Sequence, residues 1–369
     1  MTHRERFNAV LHYQPYDRLP VVHFGIWQET ADKWLAEGRL AARDLQDVKD
    51  GAKQLHPLIW ERLGLEVYFQ AWGSDADLFP AFEPKIIETL PDGMVKALNP
   101  CGAIELYKPG LNSIHAEVDH TLKDRASWEE HYLPRLQYTE ERIDFHLHET
   151  LVQDDRDYPV GIHCGGLIGV VRNWVGVPGM AYIYADDEDL FTEMIDTLCD
   201  LHYRLTERIL KIGKKFDFAH TWEDICGKGG PLVNPSVYRE KVGPWFKKIA
   251  DLVRSHGIDI VSVDSDGQVD ALIPTWFENG VNTLFPIEVG TWHASIAPWR
   301  KKYGCELRGI GGMDKRVFAQ DYAAMDKEIE RLKPLIELGG YLPCVDHGIP
   351  PDARWETVQY YCDRMRELK

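Results

Sequence analysis

The chain has 369 residues, 44% of them hydrophobic and 27% charged, with a formal net charge of −17. These proportions are ordinary for a soluble globular protein, and the length admits two or three domains or a single α/β barrel. The acidic balance excludes a general nucleic-acid binder or a binder of anionic membrane, which need a basic face, and no apolar stretch reaches the roughly 18 residues of a transmembrane helix.

The charged opening Met1-Thr-His-Arg-Glu-Arg6 lacks the apolar core of a secretory signal, and seven scattered cysteines without CxxC spacing suit a reducing cytoplasm. Thr2 and Glu5 have capping-box spacing before Phe7, Val10 and Leu11, which predicts a short first helix. Tyr16-Asp-Arg-Leu-Pro20 breaks it, residues 20–24 read as a strand, 29–63 as helical, and 65–70 as a second strand ending at Gln70. Residues 71–125, punctuated by Pro80, Pro84, Pro91 and Pro109, carry short β-prone pieces at Met94–Leu98 and Ala103–Lys108. They predict a small β insertion after the second strand. Residues 126–153 read as polar helix.

From Tyr158 strands and helices alternate. Strands are predicted at 159–163, 216–220, 258–264, 281–287, 306–310 and 340–345. Helices are predicted at 186–212, 235–256, 268–279, 322–338 and 353–367. Eight candidate strands joined through helices imply a parallel sheet, and eight is the count of a (β/α)8 TIM barrel. The expectation is a single barrel domain over 1–369 with the β element of 71–125 inserted in it. An open doubly wound sheet is the alternative, although no GxGxxG follows the first strand.

The most informative stretch is 258–267, where an apolar β-branched run ends in Asp264, Asp266 and Gly267. Side chains two apart on a strand share a face, so the two carboxylates are expected to converge at its C-terminal end. Other strands also end in polar groups: His23, Gln70, His163, His220 with Glu223 and Asp224, Glu288, Asp314, and Asp346 with His347. A barrel places its chemistry at those ends. Asp264, Asp266 and His347, with Glu223 as a fourth ligand or an acid, suit zinc or another divalent metal. The alternative is a metal-free acid/base site. His163 and His220 are substrate-facing candidates, and Asp346 joins them as a catalytic candidate. Trp27, Trp72, Trp174, Trp222, Trp276 and Trp292 are candidates to line a cleft or to fill space, and Arg172, Lys228, Lys315 and Arg316 to meet an anionic group or solvent.

Taken together, Thr2-His-Arg-Glu-Arg6, Pro15-Tyr-Asp-Arg-Leu-Pro20, Pro235-Ser-Val-Tyr-Arg-Glu240, Val263-Asp-Ser-Asp-Gly267, Gly311-Gly-Met-Asp314 and Asp346-His-Gly-Ile-Pro-Pro-Asp352 resemble, in order and spacing, the uroporphyrinogen decarboxylase superfamily. That superfamily includes the cobalamin-dependent methyltransferases. The decarboxylases' Arg-Gln-Ala-Gly-Arg motif is replaced by His23-Phe-Gly-Ile-Trp-Gln28, which argues against porphyrinogen decarboxylation. The thiol-methylating branch carries His-x-Cys and a later cysteine; Asp264-Ser-Asp266 and His347, with Cys344 nearby, stand in those places. The resemblance implies a methyltransferase moving a methyl group between a small methoxy- or methylamino-substrate and a corrinoid held by a carrier protein. A decarboxylase of another acid and a non-catalytic corrinoid- or tetrapyrrole-binding protein are the alternatives. A homodimer is also open.

Overall fold

The N-terminal capping box forms as its spacing predicts. Thr2 Oγ1 accepts from the Glu5 amide at 3.1 Å, and the Glu5 carboxylate accepts from the Thr2 amide at 2.8 Å, opening the helix His3–Leu11. The structure, a computed structural model, describes residues 1–69, 71–74, 77–110 and 115–369. Its contacts divide the chain into two compact units, each drawn from separated segments.

The first unit comprises Met1–Gln70, Asp155–Val160 and Asn282–Lys369. Its five described strands all run parallel, in the order Val67–Tyr68, Val22–His23, Tyr341–Val345, Arg308–Met313, Thr283–Ile287. The last of these is buried throughout, which is why its sequence is nearly all apolar rather than alternating. Helices Gln28–Ala36, Leu55–Leu63, Tyr322–Ile336 and Trp355–Arg366 bury Trp34, Ile59, Met325 and Tyr361. Glu66 binds the unit's start to its end, accepting from Arg18 at 2.8 Å, from Arg366 at 2.9 Å and from the Val21 amide at 3.1 Å.

The second unit comprises Ala71–Asp154 and Gly161–Val281. Four parallel strands lie in the order Val261–Asp264, Phe218–Trp222, Gly161–Gly166, Ala71–Trp72. The expected β insertion is a four-stranded antiparallel sheet, Lys85–Thr89, Val95–Leu98, Ala103–Tyr107 and Ala116–His120. The long helix Glu188–Leu210 buries Leu190, Met194, Leu198, Leu201 and Leu205, the stripe its sequence predicts.

The chain is therefore an α/β protein with a large complement of parallel strands. The differences from expectation are local. The strand expected at 65–70 is seen as Val67–Tyr68, Ala71–Trp72 is a separate strand of the second unit, and Gln70 lies outside the described residues. Helix Ile168–Asp186 was not anticipated, because Gly176 interrupts it at φ +69° and Pro178 follows. A side chain at Gly176 would also strike the His120 ring, 2.5 Å from Cε1. Residues 126–153 form short turns of helix rather than one helix. The span 235–256 divides at Val242, where Pro244 starts a second helix. No helix among the described residues is long and apolar enough to cross a membrane.

Candidate active site at the strand ends of the second unit

Strand register builds the central row. Ser262 lies opposite His220, and His220 opposite His163, on three adjacent parallel strands. Opposed residues point to one face, as does Asp264, two residues beyond Ser262. The rings of His163 and His220 are 6.1 Å apart. Ser262 Oγ donates to the Ala219 carbonyl at 2.9 Å and stands 2.8 Å from His220 Nδ1. A hydroxyl has one proton, so Nδ1 of His220 is the donor of that second bond. In the neutral ring this leaves His220 Nε2 without a hydrogen, an acceptor 3.6 Å from Asp264 Oδ2.

His163 is fixed in the other sense. Its Nδ1 accepts from the Gly165 amide at 3.1 Å, so the neutral ring carries its hydrogen on Nε2. Burial pushes both His163 and His220 down to about 3, and the nearby His220 ring adds to the effect at His163. At neutral pH the two rings donate hydrogen bonds without carrying charge.

A cavity of about 340 Å³ opens beside this row, lined by Ser74, His163, Gly166, Asn173, His202 and Trp222, with Asp77 also on its wall. His202 comes from the helix Glu188–Leu210 and is 1% exposed, and neither ring nitrogen makes a hydrogen bond of good geometry. The Gly166 backbone is near enough to favour the charged ring slightly, but burial dominates and holds His202 near 3. Gly165, at φ +87°, makes room for that ring: a Cβ there would lie 1.9 Å from His202 Nδ1. A buried polar group left unsatisfied costs about 1–3 kcal/mol, which makes His202 unusual among the groups around it.

Arg172 is already engaged, with Nη1 3.1 Å from Asp224 Oδ2 and Nη2 donating to Asn173 Oδ1 at 2.8 Å, while its guanidinium lies 5.9 Å from the Trp222 ring centre. Asn173 thus spends its acceptor on Arg172 and keeps its amide hydrogens.

Glu223 is fully buried directly after its strand. Oε2 accepts from the amides of Leu167 at 2.8 Å and Gly169 at 3.2 Å; Oε1 accepts from Ile168 at 3.3 Å and from the Tyr238 hydroxyl at 3.1 Å. Tyr238 in turn accepts from Trp276 Nε1 at 2.7 Å. These bonds clamp the start of helix Ile168–Asp186, whose first amides have no intrahelical partner. Burial raises the carboxyl to about 7 against their pull.

Asp266 is half-buried beyond the end of its strand, where Gly267 turns at φ +81°; the ladder stops at Asp264, so strand alternation does not carry to Asp266. In the first unit, Asp346 accepts from the amides of Val289 at 3.0 Å, Gly290 at 2.8 Å and Lys315 at 3.2 Å, and burial raises its pKa. His347 is stacked with Trp27 at 5.7 Å and meets Phe24 edge-on at 5.4 Å; Nδ1 accepts from Gly348, and burial lowers it to about 4. His23 is buried against Trp60 and Tyr68, Glu288 accepts from Thr291, and Asp314 pairs with Arg316. Trp174 and Trp276 are fully buried.

Zinc commonly takes at least three protein ligands. Among the described residues no three His, Cys, Asp or Glu side chains gather closely enough to hold a metal ion, and the expected ligands Asp264 and Asp266 belong to the second unit and His347 to the first. Sequence reasoning missed His202, Ser262 and Tyr238. The signal for His202 was present: it falls between Leu198 and Leu205 on the buried stripe of its helix, where a histidine is out of place.

The α/β fold and its strand-end polar row define the structural class to which known proteins can be compared. A methyltransferase from Methanosarcina mazei is similar over 100% of this chain and 99% of its own, at 16% identity and a TM-score of 0.62. At that identity the likeness shows a shared fold and nothing more. A chain from Listeria monocytogenes described as a vitamin-B12-independent methionine synthase covers 95% of this chain and 98% of its own at 14% identity, but its TM-score of 0.42 adds nothing to the argument. No protein-family model and no curated protein matches the sequence.

Proposed function

We propose that the chain is a methyltransferase moving a methyl group between a small methoxy- or methylamino-substrate and a corrinoid held by a carrier protein. The observation that carries the reading is the row Ser262–His220–His163 with Asp264, beside a cavity, in a chain that shares its fold end to end with a methyltransferase. The reading includes closure of the parallel strands as one (β/α)8 barrel domain, with the site at the strands' C-terminal ends.

The corrinoid would supply a nucleophile stronger than any side chain. The substrate's heteroatom–methyl bond would break as that nucleophile took the carbon, leaving the electron pair on the heteroatom, which would then need a proton or strong hydrogen bonds. His163 Nε2–H is the hydrogen-bond donor for that developing charge, acting as a neutral imidazole. Ser262 fixes the His220 ring with its bare Nε2 toward Asp264, and the proton that the heteroatom finally takes comes from solvent. Glu223 positions the backbone beside the site rather than reacting, and Asp346 holds backbone at the strand ends of the first unit.

The test follows loss of the cob(I)alamin absorbance with purified chain and a panel of methoxy- and methylamino-compounds. The chain should be inert alone and active only with reduced corrinoid. Release of carbon dioxide from a carboxylated compound without corrinoid would instead make it a lyase.

A further inference from the structure

The helix Ile168–Asp186 consists of two helical pieces, broken at Gly176 with φ +69° and ψ 166°, and Pro178 maintains the break because it has no amide hydrogen to give. The first piece carries Asn173, which lines the cavity at the strand ends, and Arg172, which binds Asn173 and Asp224 and lies over Trp222. Glu223 clamps the start of this piece. The β insertion meets its other end. His120, the last residue of the strand Ala116–His120, sets its ring so close over Gly176 that a Cβ there would lie 2.5 Å from Cε1. A helix ends on unpaired carbonyls and a partial negative charge, and an imidazole suits such an end.

The ring is tied electrically as well as by packing. Its Nε2 is buried, stands 3.5 Å from Glu117 Oε2 and makes no hydrogen bond of good geometry. His120 and, less strongly, Arg172 hold the Glu117 carboxyl below its usual range, so Glu117 answers to both. The other groups around the pair are otherwise engaged: Asp119 is paired with Lys123, Arg172 with Asp224, and burial keeps Cys101, near Glu117, a neutral thiol. A cavity of about 340 Å³ beside the joint, lined by Glu117, His120, Val175, Pro178 and Tyr182, gives the ring room to shift. We infer that His120 is a positioning residue: seated in the Gly176 break and turned toward Glu117, it fixes the far end of the first helical piece and so sets where Arg172 and Asn173 stand beside the cavity. The β insertion thereby controls the site from outside it. The consequence for catalysis rests on the methyl-transfer reading, whereas the positioning itself does not.

The test is NMR of the full chain labelled with ¹⁵N-arginine, with the Arg172 Nε–H signal assigned by its loss in Arg172→Lys. His120→Ala and Gly176→Ala, each shown folded by an unchanged circular dichroism spectrum, should both shift that signal. His120→Gln, which keeps a polar group toward Glu117, should return it part of the way. In wild type the Arg172 signal should follow the His120 ring as it gains a proton, read from the ring's own Cε1–H, and this dependence should vanish in His120→Ala. With a methyl donor that converts cob(I)alamin, kcat/KM should fall about tenfold in His120→Ala through misplacement of the wall, and recover in part in His120→Gln. An Arg172 signal that is unmoved in His120→Ala, or indifferent to the His120 titration in wild type, overturns the assignment. If the signal moves as expected but no donor yields its methyl group to cob(I)alamin, the positioning stands and the methyl-transfer reading falls.

Discussion

The buried polar groups around the strand ends of the two units are satisfied to different degrees. In the first unit Asp346 is matched by three amides, Asp314 by Arg316, and Nδ1 of His23 by the Gly25 amide. In the second unit Glu223 is matched just as fully, but His202, on the helix Glu188–Leu210, has no good hydrogen bond from either ring nitrogen. A satisfied buried carboxylate holds backbone in place; an unsatisfied buried imidazole on a cavity wall stores a hydrogen-bonding capacity that folding leaves unused. Function is to be sought where the bonds are missing.

Acid should expose the largest consequence. His23, His163, His202 and His220 are each held by burial near 3, whereas an unfolded histidine titrates near 6.5. As pH falls from 6.5 toward 3 the unfolded state binds protons that the folded state refuses, so stability is lost in that window, by about 1.4 kcal/mol per ring per pH unit. Glu223, raised to about 7, runs the other way and gains stability as pH falls from 7 to 4.5, offsetting part of the loss. Urea unfolding at stepped pH should show the midpoint collapsing below pH 6, since total stability is only about 5–15 kcal/mol. A midpoint flat to pH 4 would mean that the rings are not buried as described.

Smaller but sharper effects come from single matched groups. Glu223→Gln turns an amide toward three backbone donors, and Asp346→Asn does the same toward another three. Each should cost about 2–4 kcal/mol in urea unfolding, with turnover per folded molecule little changed. A large fall in turnover without loss of stability would return Glu223 or Asp346 to the reacting groups.

Much of the architecture was legible because it rests on local rules: the Thr2–Glu5 capping box, the apolar stripe of Glu188–Leu210, and the β-branched run to Asp264. The helix Ile168–Asp186 was not, since Gly176 and Pro178 contradict helical propensity and the Glu223 clamp on its first turn is a contact from a distant strand. The same holds for the site. His163, His220 and Asp264 could be named from strand ends, but the roles of Glu223 and Asp346 depend on amides far away in sequence. His202 is silent until the helix is seen against Gly165.

The smallest expected effect has the opposite sign. His202→Leu removes two unpaired nitrogens from a buried wall and should leave stability unchanged or raise it by about 1 kcal/mol, read as a small increase in Tm. A clear decrease would place His202 among the packing residues and remove the contrast with Glu223.

The most direct test of the central claim is single-turnover methyl transfer from methyl-labelled 2-methoxyphenol to cob(I)alamin, comparing wild type with His163→Gln. The account predicts that wild type delivers the label to the corrinoid and that the variant, equally stable, does so about 100-fold more slowly because the donor to the leaving oxygen is displaced. Label that stays on the phenol with wild type, or equal rates in the two proteins, would contradict it.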